Sequence, residues 1–304
     1  MQHNGKAFNF TGQLFALMIR VRYVPLALLT LTLASCTNKP GSGPSNDAAR
    51  QKADHTENRK ELKSASSARR IADAKLISAR REVPVLCYHH IKDVLSLSRA
   101  DKGYEVSTRE FREQMKILSD SGYHSILPDQ LYAYLAFGNT LPEKPFMLTF
   151  DDTDEEQYTV AKKEMDRYGF KGVYFIMTIS INRPRYMSAA QIKQLSDEGH
   201  VIACHTWDHH MVTEYSGHDW EQQLDKPRAK LEEITGRPVE YFAYPYGIWS
   251  ENVIPVIRSK GYKMAFQLST KKDPFEPLFT VRRMVIDPDW SPKGVLSVMK
   301  KTFH

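Results

Sequence analysis

One junction recurs along this chain and limits its folds more than any other feature: an amphipathic helix, a glycine, then a short apolar strand. It appears at Ser121-Gly122-Tyr123, Tyr168-Gly169-Phe170, Glu198-Gly199-His200 and Lys260-Gly261-Tyr262. Glycine just past a helix supplies the left-handed position that ends it. The helix before Gly122 shows the matching start. Ser107 and Glu110 have capping-box spacing, and Phe111, Met115 and Leu118 fall on one face. Seven strands are predicted, at 83–88, 123–127, 146–150, 172–177, 200–204, 239–243 and 262–267. Strands separated by helices imply an α/β fold with a parallel sheet and crossover helices. For roughly 220 residues, one distorted (β/α) barrel of about seven strands fits better than two domains. An open doubly wound sheet is the alternative. No GxGxxG or phosphate-cradling glycine loop occurs, which weighs against nucleotide binding.

Composition is ordinary for a globular protein, 41% hydrophobic and 26% charged, so a largely disordered or disulfide-stapled chain is set aside. The net charge of +6 suggests nucleic acid until it is located. Residues 37–81 carry 11 Lys/Arg against 5 Asp/Glu, whereas 82–304 carry 28 against 31. The basic excess precedes the folded part, so no nucleic-acid footprint is expected on the domain.

The N-terminus reads as an export signal over residues 1–35, with Met18 as an alternative start. Val24 to Ser35 (VPLALLTLTLAS) is uncharged, follows Arg20 and Arg22, and is too short to span a bilayer. Leu33-Ala34-Ser35-Cys36 resembles the bacterial lipobox, which implies a lipidated Cys36 and a membrane anchor that does not span. Thr37 carries no Asp-type retention charge, so the expected location is the outer membrane, facing the periplasm. Residues 36–81 then form a tether, Pro/Gly/Ser-rich at first and basic and polar afterwards, leaving 82–304 as the catalytic domain.

Chemistry-bearing residues cluster where predicted strands end. Met147-Leu148-Thr149-Phe150 runs into Asp151-Asp152, and two adjacent carboxylates repel unless a cation or a proton relieves them. Val201-Ile202-Ala203-Cys204 runs into His205-Thr206-Trp207-Asp208-His209, whose histidines are four apart. Pro84 to Tyr88 ends at His89-His90, and Val239 to Ala243 leads into Tyr244-Pro245-Tyr246-Gly247. In an α/β barrel these ends converge on one face. One carboxylate and two imidazoles with open positions make a catalytic metal site. Trp207, Tyr244, Tyr246 and Trp290 lie beside these motifs, where they either stack on sugar faces or belong to the core. Cys87 and Cys204 read as buried free thiols rather than a disulfide.

Together these residues resemble the polysaccharide deacetylase family (the NodB-homology domain, carbohydrate esterase family 4). The matching segments are TFDD at Thr149–Asp152, HTWDH at His205–His209 and FAYPYG at Phe242–Gly247. PVLCYHHI and FAYPYG are most similar to the biofilm poly-N-acetylglucosamine deacetylases, whose Gram-negative members are lipoproteins. The resemblance implies a metal-dependent hydrolase of N-acetyl groups on a polysaccharide, most simply poly-β-1,6-N-acetylglucosamine. Peptidoglycan, chitooligosaccharides, or an inactive carbohydrate-binding lipoprotein are the alternatives. It implies Asp151 as general base and Asp152, His205 and His209 as ligands of a divalent metal (Zn, Co or Ni). Tyr246 would offer its backbone N–H to the oxyanion. The implied partners are the polymer, the membrane through its lipid anchor, and exopolysaccharide export machinery.

This chain departs from the family pattern at three points. Ala243 stands where an arginine usually steadies the base, so Arg282 or Arg283 is expected to replace it. Asp287-Pro288-Asp289-Trp290 matches the fourth motif only in part. No Leu-x-His element follows, so His89 is expected to be the general acid; His90 should point away along an extended strand, and His304 lies on the terminus.

Overall fold

Ten strands carry the architecture: β1 (Val85–Tyr88), β2 (His90–Lys92), β3 (Glu105–Ser107), β4 (His124–Ser125), β5 (Pro145–Phe150), β6 (Gly172–Ile176), β7 (Val201–Cys204), β8 (Tyr241–Ala243), β9 (Met264–Phe266) and β10 (Met284–Val285). The computed structural model describes residues 70–93, 103–268 and 271–303. The export signal 1–35, Cys36, most of the tether and His304 lie outside the described residues.

All seven strands expected from sequence are present. Joined by β10, which was not predicted, they form one parallel sheet in the order β10-β1-β5-β6-β7-β8-β9, with β4 pairing the start of β5. A further parallel bridge, Phe266 to Val281, ties β9 to the segment that leads into β10. The amide of Val281 donates to Ala265 O at 3.0 Å, and that of Gln267 to Val281 O at 2.9 Å. The row therefore turns back on itself as a distorted (β/α) barrel. β1 and β6 are buried at every residue, as expected for parallel strands covered on both faces. The small pair β2–β3 was not predicted; it is held by the Lys92–Glu105 ion pair at 2.8 Å.

Helices cover the strands as their sequences dictate. Thr108–Asp120 starts from the Ser107/Glu110 capping box and buries Phe111, Met115 and Leu118. The four junction glycines, Gly122, Gly169, Gly199 and Gly261, all have φ between 67° and 89°. The predicted tether needs one correction. A short helix, Ala74–Ala79, caps on Asp73 and buries Ile77 in the core, so the last part of 36–81 belongs to the fold. Among the described residues no helix is long and apolar enough to cross a membrane.

His200 gives the fold a pH dependence. Its Nδ1 accepts the Gly172 amide at 3.1 Å, at the start of β6, and Tyr174 packs edge-on at 5.5 Å. Burial pushes its pKa down from 6.5 to about 4, since protonation would both charge a buried ring and break that bond. The unfolded chain thus binds the extra proton first. Stability is expected to fall by about 3 kcal/mol as pH drops from 6.5 towards 4. His200→Asn keeps an acceptor without a titrating group and should flatten that slope in urea denaturation across the window. An unchanged slope would contradict this.

Candidate active site

The strand ends place the chemical groups on one rim. The ladder continues one residue past each strand: Asp151 N donates to Tyr88 O, His205 N to Ile176 O and Tyr244 N to Phe266 O, each at 3.0 Å. His89 follows β1, Asp151 and Asp152 follow β5, His205 follows β7, and Tyr244 follows β8. They meet at a cleft of about 150 Å³ whose lining includes His89, Tyr104, Asp151, Asp152, His209 and Tyr246.

Three residues in this rim form a metal donor set. Asp152 Oδ1 lies 3.6 Å from His205 Nε2 and 3.5 Å from His209 Nε2. His205 Nδ1 meets the Ala243 carbonyl at 2.8 Å; a carbonyl only accepts, so Nδ1 carries the proton and Nε2 keeps its lone pair. Burial lowers the pKa of His205 to about 3 and also lowers that of His209, so both rings stay neutral near pH 7. Burial, together with the neighbouring Asp151, raises the Asp152 carboxyl. Among the described residues, neither Asp152 Oδ1 nor His205 Nε2 has a hydrogen-bond partner, although both are buried. Lone pairs facing one another without a proton between them are stabilised by a shared cation, so the donor set fits a divalent metal. The residue at 243 contributes its backbone, orienting a ligand, where its side chain lacks the expected arginine.

The replacement arginine is Arg283. Its guanidinium grips Asp151 with both nitrogens, at 2.6 and 2.8 Å, and is fully buried. Arg282, the other candidate, faces out to Glu82 and the Thr302 carbonyl. Successive residues of an extended segment point to opposite sides, so only one could reach Asp151. Burial alone would raise the Asp151 carboxyl, but Arg283 and His205 outweigh it and hold it well below the usual carboxylate range. Cys87 Sγ lies 3.7 Å from Asp151 Oδ2, and burial pushes its thiol up; Cys204 is pushed up to about 11. Both are free and buried, and neither is a nucleophile.

Both histidines after β1 face the cleft. His89 Nε2 is 4.0 Å from Asp151 Oδ2, and burial lowers its pKa. The expectation that His90 points away is corrected: the strand breaks at His89, His90 lines the same cleft, and its Nδ1 bonds Asp154.

Backbone strain concentrates here. Asp152, Thr153, Thr206, His209 and Tyr246 all have left-handed φ, between 58° and 73°. Thr153 and Thr206 are β-branched, so their conformations are true outliers. Gly247 also has positive φ, and a Cβ there would lie 2.7 Å from Leu268, so no larger residue fits. Gln223 braces the 205–209 loop, accepting from the Trp207 amide at 3.2 Å and donating to Asp208 at 2.8 Å.

The aromatic expectations divide. Tyr246 is 58% exposed and stands edge-on to His209 at 4.3 Å. Tyr244 touches the cleft but is 0% exposed, packed on Phe242, so it has no face to offer a sugar. Trp207 and Trp290 are not among the residues lining the cleft, and Trp290 packs against the core. Sequence reading missed Tyr104. It is 45% exposed, meets His89 at 4.9 Å and lines the same cleft as Tyr246. No motif marks it; only the unpredicted β2–β3 pair brings it to the rim.

Comparison with known proteins bears on this site. Residues 138–265 match the polysaccharide deacetylase family. YxkH of Bacillus subtilis, assigned to the polysaccharide deacetylases, is 26% identical over 183 residues, covering 60% of this chain and 63% of its own length. The poly-beta-1,6-N-acetyl-D-glucosamine N-deacetylase of Staphylococcus aureus is 24% identical over 209 residues, or 64% of this chain and 72% of that protein. The structure of IcaB from Ammonifex degensii superposes with a TM-score of 0.61 at 28% identity, covering 73% of this chain and 98% of that one.

Proposed function

Given that residues 138–265 form a polysaccharide deacetylase domain, we propose that this chain hydrolyses N-acetyl groups of poly-β-1,6-N-acetylglucosamine at the Asp152/His205/His209 centre. The observation that carries the reading is that donor set, with buried Asp152 Oδ1 and His205 Nε2 lacking hydrogen-bond partners among the described residues, beside an Asp151 kept ionised by Arg283. An amide needs an activated water, a stabilised oxyanion and a protonated leaving nitrogen. Asp152, His205 and His209 would hold a divalent cation (Zn, Co or Ni), which would supply Lewis acidity for the first two. Asp151 takes the proton from the attacking water, and Arg283 keeps it oriented. The Tyr246 backbone N–H would donate to the developing oxyanion from a left-handed turn beside His209. The proton taken by Asp151 passes to His89, whose Nε2 lies 4.0 Å from Asp151 Oδ2, and from His89 to the nitrogen as the C–N bond breaks. Tyr104 and Tyr246 flank the acetylated sugar ring.

The choice of polymer is supported by the Staphylococcus aureus relative and the Ammonifex degensii structure. Acetate release by the purified chain from poly-β-1,6-N-acetylglucosamine, chitooligosaccharides and peptidoglycan tests it. Fastest release from the first is expected; release only from another polymer would overturn the substrate, and none from any would leave a carbohydrate-binding protein.

Lipidation at Cys36 would place the enzyme on the outer membrane facing the periplasm, beside the polymer and its export machinery. Wild-type protein is then expected to fractionate with membranes and Cys36→Ser to lose its acyl chains, read by mass spectrometry of the mature N-terminus. An unmodified Cys36 in an uncleaved chain would contradict that.

A further inference from the structure

The Asp151–Asp154 turn carries both the base and a metal ligand, and its conformation is unfavourable. Asp152 and Thr153 have φ of 72° and 73° in succession, and such strain persists only where the surroundings over-determine it. Three ties reach the turn from the side of β6 and the loop after it. Met177 N donates to Thr153 Oγ1 at 2.8 Å, Met187 N donates to Thr153 O at 2.9 Å, and Asp154 bridges Tyr186. From the opposite side come two more. Gln157 Nε2 donates to the carbonyls of both His89, at 2.8 Å, and Asp151. His90 Nδ1 bonds the Asp154 carboxylate, which is buried.

We propose that the His90–Asp154 pair is a clamp that holds the left-handed Asp152–Thr153 turn, making His90 a positioning residue for the metal centre. The inference rests on the metal reading above. His90 itself stands outside the Asp152/His205/His209 donor set. On the β1–β2 junction it bonds the turn's Asp154 carboxylate directly, whereas His89 Nε2 stays 4.0 Å from Asp151. With the pair removed, the strained residues gain room to relax towards ordinary backbone angles. Asp152 Oδ1 would then no longer lie within 3.6 Å of both imidazoles. Metal affinity therefore depends on a residue that never touches the ion, and outer partners of this kind typically change affinity about 10–100-fold.

The test is titration of the chelated full chain with Co²⁺, followed by its visible absorption, with thermal unfolding of the chelated protein as the control. His90→Ala and Asp154→Ala should each weaken Co²⁺ binding about 10–100-fold, and the double variant should weaken it no further. His90→Asn, which keeps an N–H where Nδ1 stood, should restore most of the affinity. Chelated melting should change little in His90→Asn and in the double variant, neither of which strands the Asp154 carboxylate. Unchanged affinity in His90→Ala would overturn the clamp, as would a loss that His90→Asn does not recover. Should the wild-type chain fail to bind Co²⁺ at all, the metal reading falls first and the clamp with it.

Discussion

Asp152→Ala is expected to lose metal binding and acetate release together, whereas Asp151→Asn should keep the metal and lose about 10²–10⁴ of the rate. The two carboxylates are adjacent in sequence but face different partners. Asp152 Oδ1 points at two neutral imidazoles, and Asp151 is locked on a guanidinium. Measuring bound metal and turnover on the same preparations separates the roles. Metal retained at full occupancy in Asp152→Ala, with normal turnover, would contradict the assignment.

Arg283→Met is expected to lower stability by about 3–5 kcal/mol, because it strands the buried Asp151 charge. For a domain of this size that corresponds to a fall of roughly 6–20 °C in Tm. Arg283→Lys should recover only part, since an ammonium cannot match the bidentate grip. Asp151→Asn placed in the Arg283→Met background should recover stability, because a neutral amide needs no counter-ion. The sign with pH follows from the depressed Asp151 carboxyl: the pair stabilises the wild type above the ordinary carboxylate range, and that contribution fades as pH falls below it. Thermal melts of the three variants decide it. A Tm unchanged in Arg283→Met would show that the pair contributes nothing.

The barrel was legible in sequence because its punctuation is local. Each glycine junction ends a helix by its own backbone freedom, and the Ser107 box starts one by its own hydrogen bonds. The strand-end residues were legible for the same reason, since a strand's last residue lies on the barrel's upper rim whatever packs around it. Which arginine steadies Asp151 was narrowed to two neighbours and no further. The choice depends on the register of β10 against β1, Leu86 with Met284, a pairing between segments far apart in the chain. His90 was misdirected because the reading assumed one extended strand, whereas the chain breaks at His89 to begin β2. Tyr104 reached the cleft by the same unforeseen β2–β3 pairing. Trp290 and Tyr244 lie next to motifs in sequence, but neighbouring residues on a tight chain need not share a surface. Tyr244 shows this most plainly, buried while Tyr246, two residues on, is exposed.

The most direct measurement of the central claim is the dependence of acetate release on metal content. The full chain, stripped by chelation, is reloaded with Zn²⁺, Co²⁺ or Ni²⁺ in substoichiometric steps on poly-β-1,6-N-acetylglucosamine. Turnover is expected to be absent at the start, to rise linearly and to level off at one metal per chain. Full acetate release from the stripped protein would contradict the account.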